Sequence, residues 1–263
     1  SVPTDALWTY TATAGVSGGW DVSAVTNYLK RSPYFSSQDS LVTDLFISSD
    51  GTKMYIAGMT NDRVYQFSLS TAYDISTATY ASLYASVSGT TGEPMGLTFS
   101  PDGTKMYITG TSPNQAVYQY TLSTAWNVST ATYASLVLYV TYNPTGVCFS
   151  PDGTKMLLMG DTPNTDDTVY QYTLSTAWNV STATYTGGIL ISSYTGTVEG
   201  LCFSSDGAYM YICSENRAWS FLTAEVAVIT VPAAVQNPPT TAFALNDQVS
   251  YTFVTNDGGT TVK

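Results

Sequence analysis

Histidine is absent from this chain. The usual proton carrier at neutral pH and the commonest metal ligand are therefore missing, which excludes Ser-His and Cys-His nucleophile pairs and His-metal centres. Basic residues are scarce: eight Lys and Arg stand against nineteen Asp and Glu, a formal net charge of -11. A polyanion is repelled by such a surface, so neither nucleic acid nor an anionic membrane surface is an expected partner. Cysteine is rare too. Cys148, Cys202 and Cys213 are odd in number, so at least one is unpaired within the chain, and their low density excludes a disulfide-built scaffold. They read as small core residues, with Cys202 and Cys213 on the two arms of one hairpin where they can face each other. No apolar run approaches the roughly 20 residues that cross a bilayer. The longest, such as Leu136 to Val140, are strand-sized, and a soluble protein without membrane insertion is expected. The start, SVPTDALWTY, lacks the basic-then-apolar order of a secretory signal.

What is present is a repeat. With 44% hydrophobic and 13% aromatic residues the chain can bury a sizeable core. ISSDGTKMYIAG (Ile47 to Gly58) recurs as FSPDGTKMYITG (Phe99 to Gly110), FSPDGTKMLLMG (Phe149 to Gly160) and FSSDGAYMYICS (Phe203 to Ser214). A second block, VYQFSLSTAYDISTATY from Val64, returns as VYQYTLSTAWNVSTATY from Val117 and again from Val169. The unit is about fifty residues long. Inside it, side chains alternate with the two-residue period of half-buried strands, and helical periodicity is not evident. Ser-Pro-Asp-Gly supplies a preset angle, a side-chain acceptor and a residue free to take positive φ, which joins antiparallel strands. Strand a runs into Phe99, strand b starts at Lys105, strand c at Val117, and strand d follows Tyr133. Four antiparallel strands per repeat predict an all-β protein, a β-propeller of four-stranded blades.

The termini fit the same unit. Leu7 to Thr11 reads as a strand c, and Trp20, Asp21, Val22 and Ser23 match the start of the WNVSTATY block, so 7–34 would supply strands c and d of a closing blade. Tyr251 to Lys263 reads as a weak hairpin that would complete it, giving five blades. The alternative is four blades, within 1–222, and a separate C-terminal β segment over 223–263, because ITVPAAVQNPPTT is Pro-rich and departs from the repeat.

The S-P-D-G-T-K-M-Y and V-Y-Q-Y-x-L-S-T-A-W-x-V-S-T-A blocks resemble YVTN- and WD-type propeller repeats. More narrowly they are similar to those of marine bacteria and of bacteriophage tail-fibre-like proteins, over roughly Leu7 to Phe221. The resemblance implies the propeller fold. It carries over no catalytic residue, and the WD pair occurs only as Trp20-Asp21.

Comparing repeats within the chain separates frame from variation. The second block is nearly invariant, whereas the b-to-c and d-to-a connections differ in length, and both lie on one face of a propeller, where binding usually resides. The candidates there are Arg63 and Arg217 at equivalent b-to-c positions, Asn114 in the second loop, and Asp166 in the longest with Asp161 and Asp167. Tyr142 and Tyr194 add ring faces, and Glu93 and Glu199, preceding strand a, face the channel mouth with Asp44. The three aspartates lack the spacing of a calcium loop, so no metal or other cofactor is expected. Trp126 and Trp178 share a position with Tyr73 and Trp20, and would pack one blade on the next.

These features lead to the expectation of a non-enzymatic structural or adhesive module, virion-borne or extracellular, that binds a cell-surface glycan or protein receptor through its variable loops. Unpaired strand edges would make it a homo-oligomer or fibre with other structural subunits. The alternative is a secreted propeller enzyme acting on polysaccharide with Asp and Glu at the channel mouth.

Overall fold

The structure is a computed structural model, and it describes residues 32–162, 165–191, 198–203, 209–214 and 217–222. The chain divides into two compact units, Ser1–Ala224 and Glu225–Lys263. The expected closing strands at 7–34 fall largely outside the described residues, and the C-terminal hairpin and segment 223–263 wholly so, as does any strand d of the fourth blade.

The described part is an all-β propeller built from sequential antiparallel sheets. The first blade is β1 (Val42–Ile47), β2 (Lys53–Gly58), β3 (Arg63–Leu69) and β4 (Ala78–Ser86). The second is β5 (Pro94–Phe99), β6 (Lys105–Gly110), β7 (Ala116–Leu122) and β8 (Ala131–Tyr139). The third is β9 (Asn143–Phe149), β10 (Lys155–Thr162), β11 (Thr165–Leu174) and β12 (Ala183–Leu190). Of the fourth, β13 (Val198–Phe203), β14 (Tyr209–Ser214) and β15 (Arg217–Leu222) are described. In each sheet the strands lie in chain order. The inner strands succeed one another: β1 packs on β5, β5 on β9 and β9 on β13.

In the second blade strands a, b and c lie within a residue of the repeat reading, strand d starts at Ala131, before Tyr133, and in the third blade β10 and β11 extend into the connection expected between them. The turn between strands a and b is an Asx arrangement. The hydroxyl of Ser100 donates to the Asp102 carboxylate at 2.6 Å, that carboxylate accepts from Thr104 N–H at 3.0 Å, and Lys105 N–H donates to the Ser100 oxygen at 3.0 Å. The same three bonds form around Asp50 and Asp152. The second block contributes a short 3-10 turn, Ile75–Thr77, Val128–Thr130 and Val180–Thr182. Each is capped by an Asp or Asn that accepts the N–H two residues on.

The two blocks are coupled. Trp126 adopts φ 63°, its N–H donates to Gly103 O at 2.9 Å, and a Cβ added at Gly103 would lie 2.2 Å from the indole. Only a glycine lets the ring lie flat against the turn. Trp178 stands over Gly153 in the same way, and Tyr73 over Gly51. Trp126 and Trp178 pack blade on blade as the sequence predicts, whereas Tyr73 is 61% exposed and Trp20 lies outside the described residues. Phe46, Tyr55, Phe99 and Trp126 form one ring cluster between the first two blades, with Tyr55 and Phe99 centroids 4.5 Å apart, and Tyr107, Phe149 and Trp178 another between the second and third.

Two hydrogen bonds clasp each of these joints. Tyr55 donates its hydroxyl to Trp126 O at 2.7 Å, while Gln66 accepts Val128 N–H at 3.1 Å. One blade on, Tyr107 donates to Trp178 O at 2.9 Å and Gln119 accepts Val180 N–H at 3.2 Å. The near-identity of VYQYTLSTAWNV is thus the record of a blade-to-blade contact, since the amide and hydroxyl are buried and must be paired.

Candidate functional site

The paired strands place both variable loop sets at one rim, because Arg63 at the start of β3 sits opposite Gly58 at the end of β2 and Ser86 at the end of β4. Of the predicted site residues, the side chains of Arg63, Glu93, Asn114 and Tyr142 are described. Arg63 holds its guanidinium 4.2 Å over the Tyr84 ring, and Arg217 occupies the matching register, opposite Ser214. Asn114 is exposed in the loop that contains the Ser112-Pro113 cis bond. Glu93 is exposed beside β5, where Thr111 donates its hydroxyl to the carboxylate at 2.5 Å.

Several expectations are corrected. Tyr142 is not a loop ring open to a ligand: it is 5% exposed, stacked on Tyr170 at 3.8 Å, with its hydroxyl 2.9 Å from that of Tyr172. Equivalent positions are filled by Thr90 against Tyr120 and by Phe35 against Phe67, a hydroxyl meeting a hydroxyl and an apolar ring meeting an apolar ring. The longest b-to-c connection is not a loop either. Asp161 lies in β10, Asp166 and Asp167 lie in β11, and Thr162 pairs with Thr165, so the strands continue almost to the tip. Glu199 is the second residue of β13 rather than a residue before it. The side chains of Asp161, Asp166, Asp167, Glu199 and Arg217, and all of Tyr194, are outside the described residues. Cys202 pairs with Tyr211 and Cys213 with Gly200, so the two cysteines are diagonal rather than opposed, and Cys202 is exposed rather than in the core. Burial pushes the Cys148 thiol above its ordinary value, which disfavours the thiolate.

What the repeat comparison undervalued is Asp44. In the shared register it stands where the other inner strands have Gly96, Gly146 and Gly200. Gly96 shows why: an added Cβ would lie 3.0 Å from Gly146 Cα and 2.9 Å from the Thr109 hydroxyl, so inner strands of the second and third blades nearly touch. Between the first and second blades a carboxyl is interposed instead. One carboxylate oxygen accepts Leu97 N–H at 2.6 Å and the other accepts Leu45 N–H at 2.7 Å. Since β5 has β6 as its sole sheet neighbour, the Leu97 N–H belongs to the free edge that lines the propeller axis. Nearby, Thr43 donates its hydroxyl to Pro94 O at 2.8 Å and ties the same two strands together.

The position sets the chemistry. Burial pushes the Asp44 carboxyl up to about 6, against the pull of the Leu97 and Leu45 N–H groups. Asp39, by contrast, is held below the ordinary carboxylate value: burial raises it, but the N–H groups of Leu41, Thr60 and Asn61 together outweigh that. Asp44 is thus the described acid whose proton equilibrium falls near neutrality on the axial edge. Among the described residues no three Cys, Asp or Glu side chains gather as a metal site.

No family profile matches the chain, and no curated protein does. Among solved structures it is similar to a candidate 6-phosphogluconolactonase from Bacteroides fragilis, with 17% identity over 74% of this chain and 54% of that one, TM-score 0.48. A candidate 6-phosphogluconolactonase from Bacteroides uniformis is similar at 16% identity, over 74% and 55%, TM-score 0.49. A chain of the mitotic checkpoint complex is similar at 14% identity, over 69% and 50%, TM-score 0.46. The chain spans about half the length of these solved chains. The expectation of a structural or adhesive module that binds a receptor through variable loops is corrected accordingly. The similar solved chains named above include two 6-phosphogluconolactonase candidates, and Tyr142, assigned to the receptor surface, is buried.

Proposed function

We propose that the protein is a hydrolase that works at the axial edge of its inner strands, with Asp44 as the general base. The observation that carries this reading is a carboxyl at a register position that is glycine in the other three repeats, held by two backbone N–H groups and poised near pH 6. Ionised at neutral pH, it takes a proton from water as the water oxygen bonds to an acyl carbon. When the C–O bond breaks, the same proton passes to the departing alkoxide. One carboxyl suffices for an ester or lactone. A glycosidic bond calls for two, roughly 5 to 9.5 Å apart, and the described side chains of β1, β5 and β9 include a single acid.

The charge of -11 favours an uncharged substrate. The phosphorylated lactone named for two similar proteins suits this surface poorly. The test is turnover of an uncharged aryl ester and an uncharged δ-lactone across pH 4 to 9. Activity that rises to a plateau with a midpoint near 6, and that Asp44→Asn abolishes without lowering the unfolding midpoint, is expected. Absence of turnover of both substrates, or an equally active variant, overturns the proposal.

A further inference from the structure

Two departures from the repeat meet between β1, β5 and β6. In the shared register Asp44 pairs with Ala57, Gly146 with Met159 and Gly200 with Cys213, and the single residue before each is bulged out of the ladder. In the second blade Pro94 pairs with Gly110 and Leu97 with Ile108, so both Met95 and Gly96 are left out, and Thr109 has no strand partner on β5. A side chain fills the opening: Gly96 N–H donates to the hydroxyl of Thr109, a fully buried residue, at 2.6 Å. The other repeats have Ala57, Met159 and Cys213 at that position, none of them with a hydroxyl. From the opposite side β1 grips the same bulge. Thr43 donates to Pro94 O just before it, and the Asp44 carboxylate accepts Leu97 N–H just after it. The acid and the hydroxyl peculiar to this place therefore hold the N–H groups of two successive peptides, and a bulge is the device by which a strand re-aims such groups.

We infer that Thr109 is the positioning residue of Asp44, an assignment whose catalytic meaning rests on reading Asp44 as the base: its hydroxyl props β5 off β6 at Gly96 and so turns the Leu97 N–H onto the Asp44 carboxylate. Without that hydroxyl the buried Gly96 N–H loses its partner, and β5 gains by closing on β6 as the other inner strands close on theirs. Closure withdraws the Leu97 N–H from the acid, and burial then acts on the carboxyl with less opposition. Of the described strands packed on β1, β5 has no titratable side chain and β2 has Lys53 and Tyr55. The influences on Asp44 are burial and the Leu97 and Leu45 N–H groups, with no contribution from a charged side chain.

Carbon-13 NMR of the Asp44 carboxyl in the whole chain, its resonance assigned by loss in Asp44→Asn, tests this without any substrate. Thr109→Ser keeps a hydroxyl and is expected to leave the carboxyl titrating near 6. Thr109→Ala places there the residue that the first blade already accepts as Ala57, and is expected to raise the midpoint by about one pH unit or more, the roughly tenfold gain in proton affinity that follows loss of a backbone donor to a carboxylate. Should that variant not fold, Thr109→Val, of the native shape, carries the same expectation. A purely structural role would lower the urea midpoint and leave the carboxyl where it was. An unmoved carboxyl in the variant without a hydroxyl, or an equal shift in Thr109→Ser, overturns the inference. Turnover separates the two readings: a shifted carboxyl in a protein that hydrolyses neither ester nor lactone sustains the role of Thr109 and refutes the hydrolase, and an unmoved carboxyl in an active enzyme does the reverse.

Discussion

Gly103→Ala is the perturbation in which local geometry and blade packing meet. Gly103 sits at φ +69°, where a Cβ costs about 1–2 kcal/mol. The new methyl would also lie 2.2 Å from the Trp126 ring. That ring has nowhere to go: it stacks on Phe46, lies 5.7 Å from Phe99, and its carbonyl is fixed by the Tyr55 hydroxyl. Overpacking of this kind adds about 1–3 kcal/mol. The expected loss is about 3 kcal/mol in all, which at a urea slope of about 3 kcal/mol/M moves the unfolding midpoint down by about 1 M. Far-UV circular dichroism against urea measures it. Gly89→Ala is the control, because nothing lies within 4 Å of a Cβ there, and its midpoint should stay level or rise slightly. If the two variants unfold together, the claim that the turn glycine exists to seat the tryptophan is wrong.

Tyr107→Phe leaves Trp178 O without its partner inside the second joint and should cost about 1–3 kcal/mol in the same urea titration, more than Tyr84→Phe at the exposed outer edge. The Ser hydroxyls first, then the neighbouring Thr groups, hold Asp50 and Asp152 down to about 2, and Asp102 is held at about 2 chiefly by Ser100. Lowered carboxyls stabilise the folded state fully above the unfolded value near 4, so the urea midpoint should fall steeply between pH 4 and pH 2. Asp44 has the opposite sign. Raised to about 6, its contribution is complete below pH 4 and is lost as the pH climbs through 6, so Asp44→Asn should flatten the midpoint between pH 4 and 6 and leave the acid limb unchanged.

The architecture was legible because its causes are local. Two-residue alternation, the Asp-Gly turn and equal spacing of the blocks specify hairpins wherever they occur, and the strands of the second blade start and stop within a residue or two of that reading. The packing role of Trp126 and Trp178 was legible for a related reason, since an aromatic kept in successive units meets the same neighbour in each. The rim was not. Loop variability marks where a chain is free to change, but whether Tyr142 points outward or under Tyr170 depends on the hydroxyl of Tyr172 thirty residues away. Aligning the repeats against one another carried the signal for Asp44, as one acid among three glycines, yet its meaning comes from neighbours far off in the chain.

Sequence alone determined that this protein is a run of antiparallel hairpins of one pattern, because turn chemistry and side-chain alternation act over a few residues. Only the tertiary structure decided which polar groups became clasps, which ring became core and which carboxyl was lifted toward neutrality. Those outcomes follow from desolvation and from partners that folding brings together: the Asp44 carboxyl meets the Leu97 N–H only because one inner strand lies against the next.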